Sequence, residues 1–321
     1  VVIGRPDIVE RVAEWQLTEE VIEKDYVLGW LLWGIGTDPV LGDQWVFKGG
    51  TCLRKCYIEA YRLSEDLDFT VLPGGPYRPK QIEPLLGRVL TRVHDASGID
   101  FSSRAPMLRL RPDELSSEGR VYYVGPRQTP QLVRVKLDIS TDETVVRPPV
   151  LRDIAHPYPD GPLPGQVRCY SFEEVFAEQI RAMAQRARPR DLYDIINLFR
   201  PNDLRLYPDV IHQALAEKCA AKSIAVPTAS DFDGSPLIAA LESDWDQMLA
   251  HQLPALPPLQ SFLDELSPLR LARRQRRLRG TAGACREHGR SGLVAAADRR
   301  HLERRHPPKD GALRCHQPPL R

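Results

Sequence analysis

No apolar run in this chain approaches the ~20 residues that a membrane-spanning helix needs; the longest candidate, Val27 to Ile35, is short and lies in an amphipathic pattern. Nor do the first residues show a basic segment followed by a signal-like apolar run, so a cytoplasmic protein is expected. The 6 cysteines include no C-x-x-C pair, and no Cys/His pair has zinc spacing. Cys52 and Cys56, one helical turn apart, could supply half a metal site, but buried free thiols are the expectation. No internal repeat is evident. Beyond residue 267 there is no Phe, Trp or Tyr, and 15 Lys and Arg stand against 4 Asp and Glu. The net charge of +1 therefore hides a tail at +11 and a body at −10, where 29 basic residues face 39 acidic ones. Residues 268–321 cannot bury enough apolar surface to fold and are expected to be disordered. They read either as a basic arm for nucleic acid or as a non-native extension of the kind that out-of-frame reading of GC-rich DNA produces.

What is present is enough for a sizeable core: 321 residues, 42% of them hydrophobic. The chain is organised around Phe47 to Val71. A short apolar run, Trp45 to Phe47, ends in Gly49-Gly50-Thr51, and a helical stretch, Cys52 to Tyr61, follows. Such a turn allows close backbone approach and offers free N–H groups to a phosphate. In Asp66-Leu67-Asp68-Phe69 apolar and acidic residues alternate, so in a strand both carboxylates project from one face while Leu67 and Phe69 enter the core. Like charges held that close call for a cation, and oxygen ligands suit Mg²⁺.

Helical apolar spacing covers 7–15 and about 18–35, the second with Thr18 as N-cap. Within it, Glu23-Lys24-Asp25-Tyr26 reads as a salt-bridged solvent face, with Lys24 facing a nucleotide as the alternative. A further helix spans about 80–96, and short strands joined by a polar loop, Pro112 to Gly119, occupy 99–125. In Leu132 to Ser140, Val133, Val135, Leu137 and Ile139 share one face; Arg134, Lys136, Asp138 and Ser140 share the other. If this strand adjoins the Asp66/Asp68 strand, Asp138 is a third metal carboxylate; otherwise it pairs with Lys136 or Arg134. Arg147 to Gln166, rich in Pro and Gly, reads as a linker. Helices follow at 172–186, 190–199, 207–221 and about 236–253, with Ser171 and Pro189 as plausible starts. The expected class is α+β: a mixed sheet with flanking helices over residues 1–146, a linker at 147–166, and a mostly helical domain at 167–267.

Lys48-Gly49-Gly50-Thr51, Leu53, Arg54 and Ser64-Glu65-Asp66-Leu67-Asp68-Phe69, with Glu173-Glu174, Ala177-Glu178 and Arg190-Asp191-Leu192-Tyr193-Asp194, resemble the AbiEii/AbiGii nucleotidyltransferase toxins, within the superfamily related to DNA polymerase beta. The resemblance spans roughly residues 20–200. It implies a nucleotidyltransferase-like sheet, catalytic Asp66, Asp68 and Asp138 binding Mg²⁺, and an NTP held by Lys48, Gly49, Gly50, Thr51, Ser64, Lys136, Arg190, Asp191 and Asp194. It further implies an RNA acceptor, the tRNA 3′ end, arrested translation, and an antitoxin partner. Where that family carries a lysine after Ala-Glu, this chain has Gln179; Arg181, Lys136 or Lys48 could compensate. Two other readings stay open: a nucleotide-binding module without turnover, and transfer to a protein. The acidic body requires that RNA meet a local patch drawn from Arg104, Arg109, Arg111, Arg120, Arg127, Arg134, Lys136, Arg186, Arg188 and Arg190.

Overall fold

The computed structural model describes residues 2–59, 61–161, 163–200, 207–232 and 235–266. The basic tail at 268–321 lies outside the described residues. Helix α1 spans Arg5–Trp15 and α2 spans Glu19–Gly36. The Thr18 hydroxyl accepts the Val21 N–H, and Glu19 and Glu20 sit at the positive end of the α2 dipole. A short α3 (Leu41–Gln44) leads into β1 (Trp45–Lys48) and then α4 (Gly49–Cys52). The helix widens at once into a π turn, Leu53–Tyr57, closed by the Ile58 N–H on the Leu53 carbonyl at 2.8 Å. The expected helix at 52–61 therefore starts at Gly49 and stops at Tyr57. Next come β2 (Asp66–Val71), α5 (Pro79–Ser97), β3 (Met107–Leu110), β4 (Ser116–Tyr123) and β5 (Val133–Ser140).

The polar loop expected at 112–119 is shorter than its composition suggests. Asp113 Oδ1 accepts the Leu115 and Ser116 N–H groups, a local turn that lets β4 begin at Ser116. Strands β6 (Val150–Asp153) and β7 (Gln166–Cys169) then precede α6 (Phe172–Arg186), α7 (Pro189–Phe199), α8 (Pro208–Ala221) and α9 (Ser235–Leu249); residues 259–266 are helical again. Ser171 caps α6 by accepting the Glu174 N–H, and Pro189 opens α7.

The strands form one mixed sheet in the order β3-β4-β5-β2-β1-β7-β6. The stretch 147–166 is accordingly more than a linker: β6 pairs antiparallel with β7 at the sheet edge, where the missing N–H of a nearby proline costs no ladder bond. Because β7 pairs in parallel with β1, the boundary expected near residue 167 runs through a single sheet, and residues 1–271 form one compact unit. Leu67, Phe69, Val135, Leu137 and Ile139 are fully buried on the apolar face of β2 and β5, as their alternation requires. Helix α2 packs on α5 and β7 and is buried around most of its circumference.

The reading of Glu23 to Tyr26 as a solvent face is overturned. Glu23 and Asp25 are each 1% exposed. Asp25 accepts from Lys55 at 2.8 Å and from the Tyr158 hydroxyl at 3.0 Å, while Glu23 accepts the Arg127 N–H at 2.7 Å. Lys24 pairs with Glu65 at 2.7 Å. Buried acids stay charged only when paired in this way.

Candidate active site

The polar face of the central strands β1, β2 and β5 and the facing α6–α7 corner line a cavity of about 470 Å³. Two registers build its floor. Across the parallel pair β2/β5, Asp66 lies opposite Lys136 and Asp68 opposite Asp138; across the antiparallel pair β1/β2, Lys48 lies opposite Asp68. Even alternation then turns all of these side chains to the polar face, and Lys48, Asp66, Asp68, Lys136 and Asp138 all line the cavity.

Asp66 and Asp68 differ from the other acids around them. Among the described residues neither carboxylate has a hydrogen bond or an ion pair. Burial pushes both above the ordinary carboxylate range; for Asp68, with Asp138 and Asp66 adding repulsion against the pull of Lys48, the value reaches about 6. Asp138 is held by Arg111 at 2.6 Å and by Lys136 at 3.6 Å, so it adjoins the Asp66/Asp68 strand and also makes the ion pair that was its alternative role. An all-oxygen donor set with two otherwise unpartnered carboxylates fits a hard divalent cation.

The Gly49-Gly50 turn is packed too tightly for side chains. Gly49 has φ +79°, and a Cβ there would meet Asp68 Oδ2 at 2.6 Å; at Gly50 a Cβ would strike the Arg62 guanidinium. Thr51 is buried, and its hydroxyl donates to the Asp66 carbonyl at 2.6 Å, so it fastens the turn to β2 and does not line the cavity. Ser64 lines the cavity just ahead of β2.

On the opposite wall most charges are already matched. Glu178 bridges Lys48 at 3.1 Å and Lys218 at 3.2 Å; burial would raise its pKa, but the two ammoniums outweigh that and hold it at about 2. Lys48 in turn stays charged despite burial because Glu178, Glu143 and Asp68 surround it. Arg181 Nη2 donates to both carboxylate oxygens of Glu143, at 3.0 and 3.1 Å. Asp191 takes both bonds from Arg186 (2.8 and 2.7 Å), and Asp194 takes both from Arg62 (2.7 Å each) together with the Tyr61 hydroxyl. These two acids border the cavity with their oxygens committed to arginine. Arg188 and Arg190 line the same wall without a carboxylate partner among the described residues, and burial followed by the Arg62 charge lowers the Arg190 pKa. Gln179 is buried in the wall.

Arg62 is the residue that sequence reasoning missed. A lone arginine between Tyr61 and Leu63 carries no pattern, and its partner Asp194 is 132 positions away. Of the ten cations considered as an RNA patch, Arg111, Lys136, Arg186, Arg188 and Arg190 line the cavity; Arg104, Arg109, Arg120, Arg127 and Arg134 do not.

A glycine-pair turn set against strand carboxylates on a mixed sheet is the architecture of a nucleotidyltransferase. The sequence pattern described as "Nucleotidyl transferase AbiEii toxin, Type IV TA system" matches residues 30–266, and the chain belongs to that family. It is a nucleotidyltransferase toxin of a type IV toxin–antitoxin system. The fold resembles that of MenT4, a nucleotidyltransferase toxin from Mycobacterium tuberculosis H37Rv, with a TM-score of 0.54 and 17% identity over 82% of this chain and 87% of that one. No curated protein sequence matches the chain. No helix among the described residues is long and apolar enough to cross a membrane.

Proposed function

We propose that this toxin transfers a nucleoside monophosphate from an NTP to an RNA acceptor, the 3′ end of tRNA, with release of pyrophosphate, so that translation stops until the paired antitoxin counters it. The observation that carries this reading is the pair of unpartnered carboxylates, Asp66 and Asp68, in register with Asp138 and set against the Gly49-Gly50 turn. These three residues would hold Mg²⁺, which when bound neutralises phosphate charge and eases ionisation of the attacking hydroxyl. Gly49 and Gly50 line the cavity and, having no side chains, let Asp68 and Arg62 close against the turn that would face the triphosphate. Arg190 and Arg188 supply guanidinium groups that phosphate oxygens can accept from, and with Arg186 they give RNA a basic wall on a body whose net charge is −10. Lys136, Arg111 and Glu143 frame the carboxylates. Asp191 and Asp194 act by holding the arginines, and Thr51 by holding the turn. Ser64, beside the acids, is suited to a phosphate contact through its hydroxyl.

The test is incubation with each labelled NTP, Mg²⁺ and total RNA. Label should enter RNA of tRNA size and not the protein fraction; label in protein alone would replace the acceptor with a polypeptide. A second reading, nucleotide binding without turnover, is favoured by Gln179, since Lys48, Lys136 and Arg181, the cations suited to replace a lysine there, are each paired with a carboxylate. Gln179→Lys should tighten NTP binding by a charge-assisted contact of roughly 1.5–3 kcal/mol. Unchanged affinity would show that another cation, such as Arg188 or Arg190, already fills the role, or that position 179 does not face the phosphates.

A further inference from the structure

Behind the phosphate turn, on the side away from the cavity, three thiols converge. Cys52 ends α4, Cys56 lies in the π turn that follows, and Cys169 ends β7, where it pairs with Phe47 of β1 and Val150 of β6. Their sulfur atoms all lie within 4.8 Å of one another, and the side chains are 0%, 7% and 0% exposed. The bland account is that three small apolar residues fill a core. Two features exceed it. The chain adopts a π turn, a rare conformation frequent at functional sites, over the segment that carries Cys56. The Arg152 guanidinium sits beside the cluster, donating to the Cys56 carbonyl at 3.1 Å and lying 4.7 Å over the Tyr57 ring, whose hydroxyl is 3.8 Å from Cys169 Sγ.

We propose that Cys52, Cys56 and Cys169 form a three-coordinate thiolate site for a soft d¹⁰ cation, with Cu(I) the ion that fits best. Soft thiolates select Cu(I), zinc or iron–sulfur clusters. A closed structural zinc site takes four ligands, and among the described residues no fourth Cys, His, Asp or Glu joins the three sulfurs. The burial that shuts out a water ligand leaves trigonal sulfur coordination, which Cu(I) accepts. Each thiol that ligates gives up its proton, and Arg152 offsets part of the negative charge that results. A bound ion would tie the segment directly after Gly49-Gly50-Thr51 to β7. The site is independent of the carboxylates: it contains no oxygen ligand and faces the other side of the turn.

The experiment is an anaerobic titration of the reduced full-length chain with Cu(I) in competition with a chromogenic Cu(I) chelator, followed by X-ray absorption. One ion per chain in a sulfur-only shell of three ligands is expected. A chain in which Cys219, Cys285 and Cys315 are serine should bind it equally, and Asp68→Ala should too. Cys169→Ala should weaken binding by more than about 100-fold, beyond the 10–100-fold that follows loss of an outer-shell partner. Cys56→Ser, at the least buried position, provides a second variant, and near-ultraviolet circular dichroism of the metal-free proteins checks that both fold. No uptake by the wild-type chain, undiminished uptake by folded Cys169→Ala or Cys56→Ser, or a disulfide among the three cysteines in the isolated chain would each overturn the proposal.

Discussion

At the scale of single residues, the site is defined by which charges lack partners. Asp66 and Asp68 repel each other across one face of β2, and nearby Lys136, Lys24 and Arg190 for Asp66, and Lys48 and Lys136 for Asp68, offset burial and repulsion only in part. Removing one carboxylate takes away a proposed cation ligand but no apolar packing. Asp68→Ala should therefore lose transfer while melting at or above the wild-type temperature, because relief of repulsion favours the fold. Full turnover in a folded Asp68→Ala would refute its role. Glu178 behaves oppositely, since its pairs with Lys48 and Lys218 are structural. Its folded pKa of about 2 lies below the unfolded 4.5, so its contribution is complete above pH 4.5 and fades as pH falls toward 2. Glu178→Gln should lower the melting temperature at neutral pH, with the gap to wild type closing across that window. A gap that stayed constant with pH would show that Glu178 is not ionised in the fold.

At the scale of elements, Arg62 joins three of them: its guanidinium lies over Gly50, forks onto Asp194 in α7, and donates to Gln252 Oε1 at 2.8 Å. Arg62→Ala strands Asp194 as a buried, half-partnered charge and should cost about 3–5 kcal/mol in denaturant unfolding. The double variant Arg62→Ala/Asp194→Ala should recover part of that loss, and strict additivity would show that the pair does not couple. These elements also mark what sequence can reveal. Alternation in β2 and β5 exposed Asp66, Asp68 and Asp138, because a period of two dictates which face a side chain takes. Pairing across long separations left no such trace. Asp194 looked available beside Asp191, yet its arginine lies in a different part of the chain. Glu23 and Asp25 looked like solvent charges because Lys55 and Arg127, which make their burial tolerable, are distant in sequence. The Pro and Gly content of 147–166 obscured β6 because an edge strand tolerates residues that a central one does not.

At the scale of the molecule, the compact unit runs to residue 271, with Phe262 fully buried against Tyr193 and Trp245. A chain ending at Leu271 should keep the melting temperature of the full chain, whereas one ending before Phe262 should not. If the basic stretch beyond contacts RNA, its removal should also flatten the salt dependence of RNA binding, measured as the slope of log affinity against log salt concentration. A melting temperature lowered by the first truncation would mean that the stretch beyond residue 271 packs on the body.

The tie between Arg62 and Gln252 also has a meaning in time. A ribosome making this protein exposes the Gly-Gly turn and all three candidate metal carboxylates by residue 138, but the backbone at Leu63 and the Arg62 side chain find their Gln252 partner only 189 and 190 residues downstream. Domains fold as units as they emerge, and contacts of such long separation form late. On the proposed function, the nascent chain carries its candidate carboxylates early and its clamp last, and transfer is expected only once synthesis is nearly over.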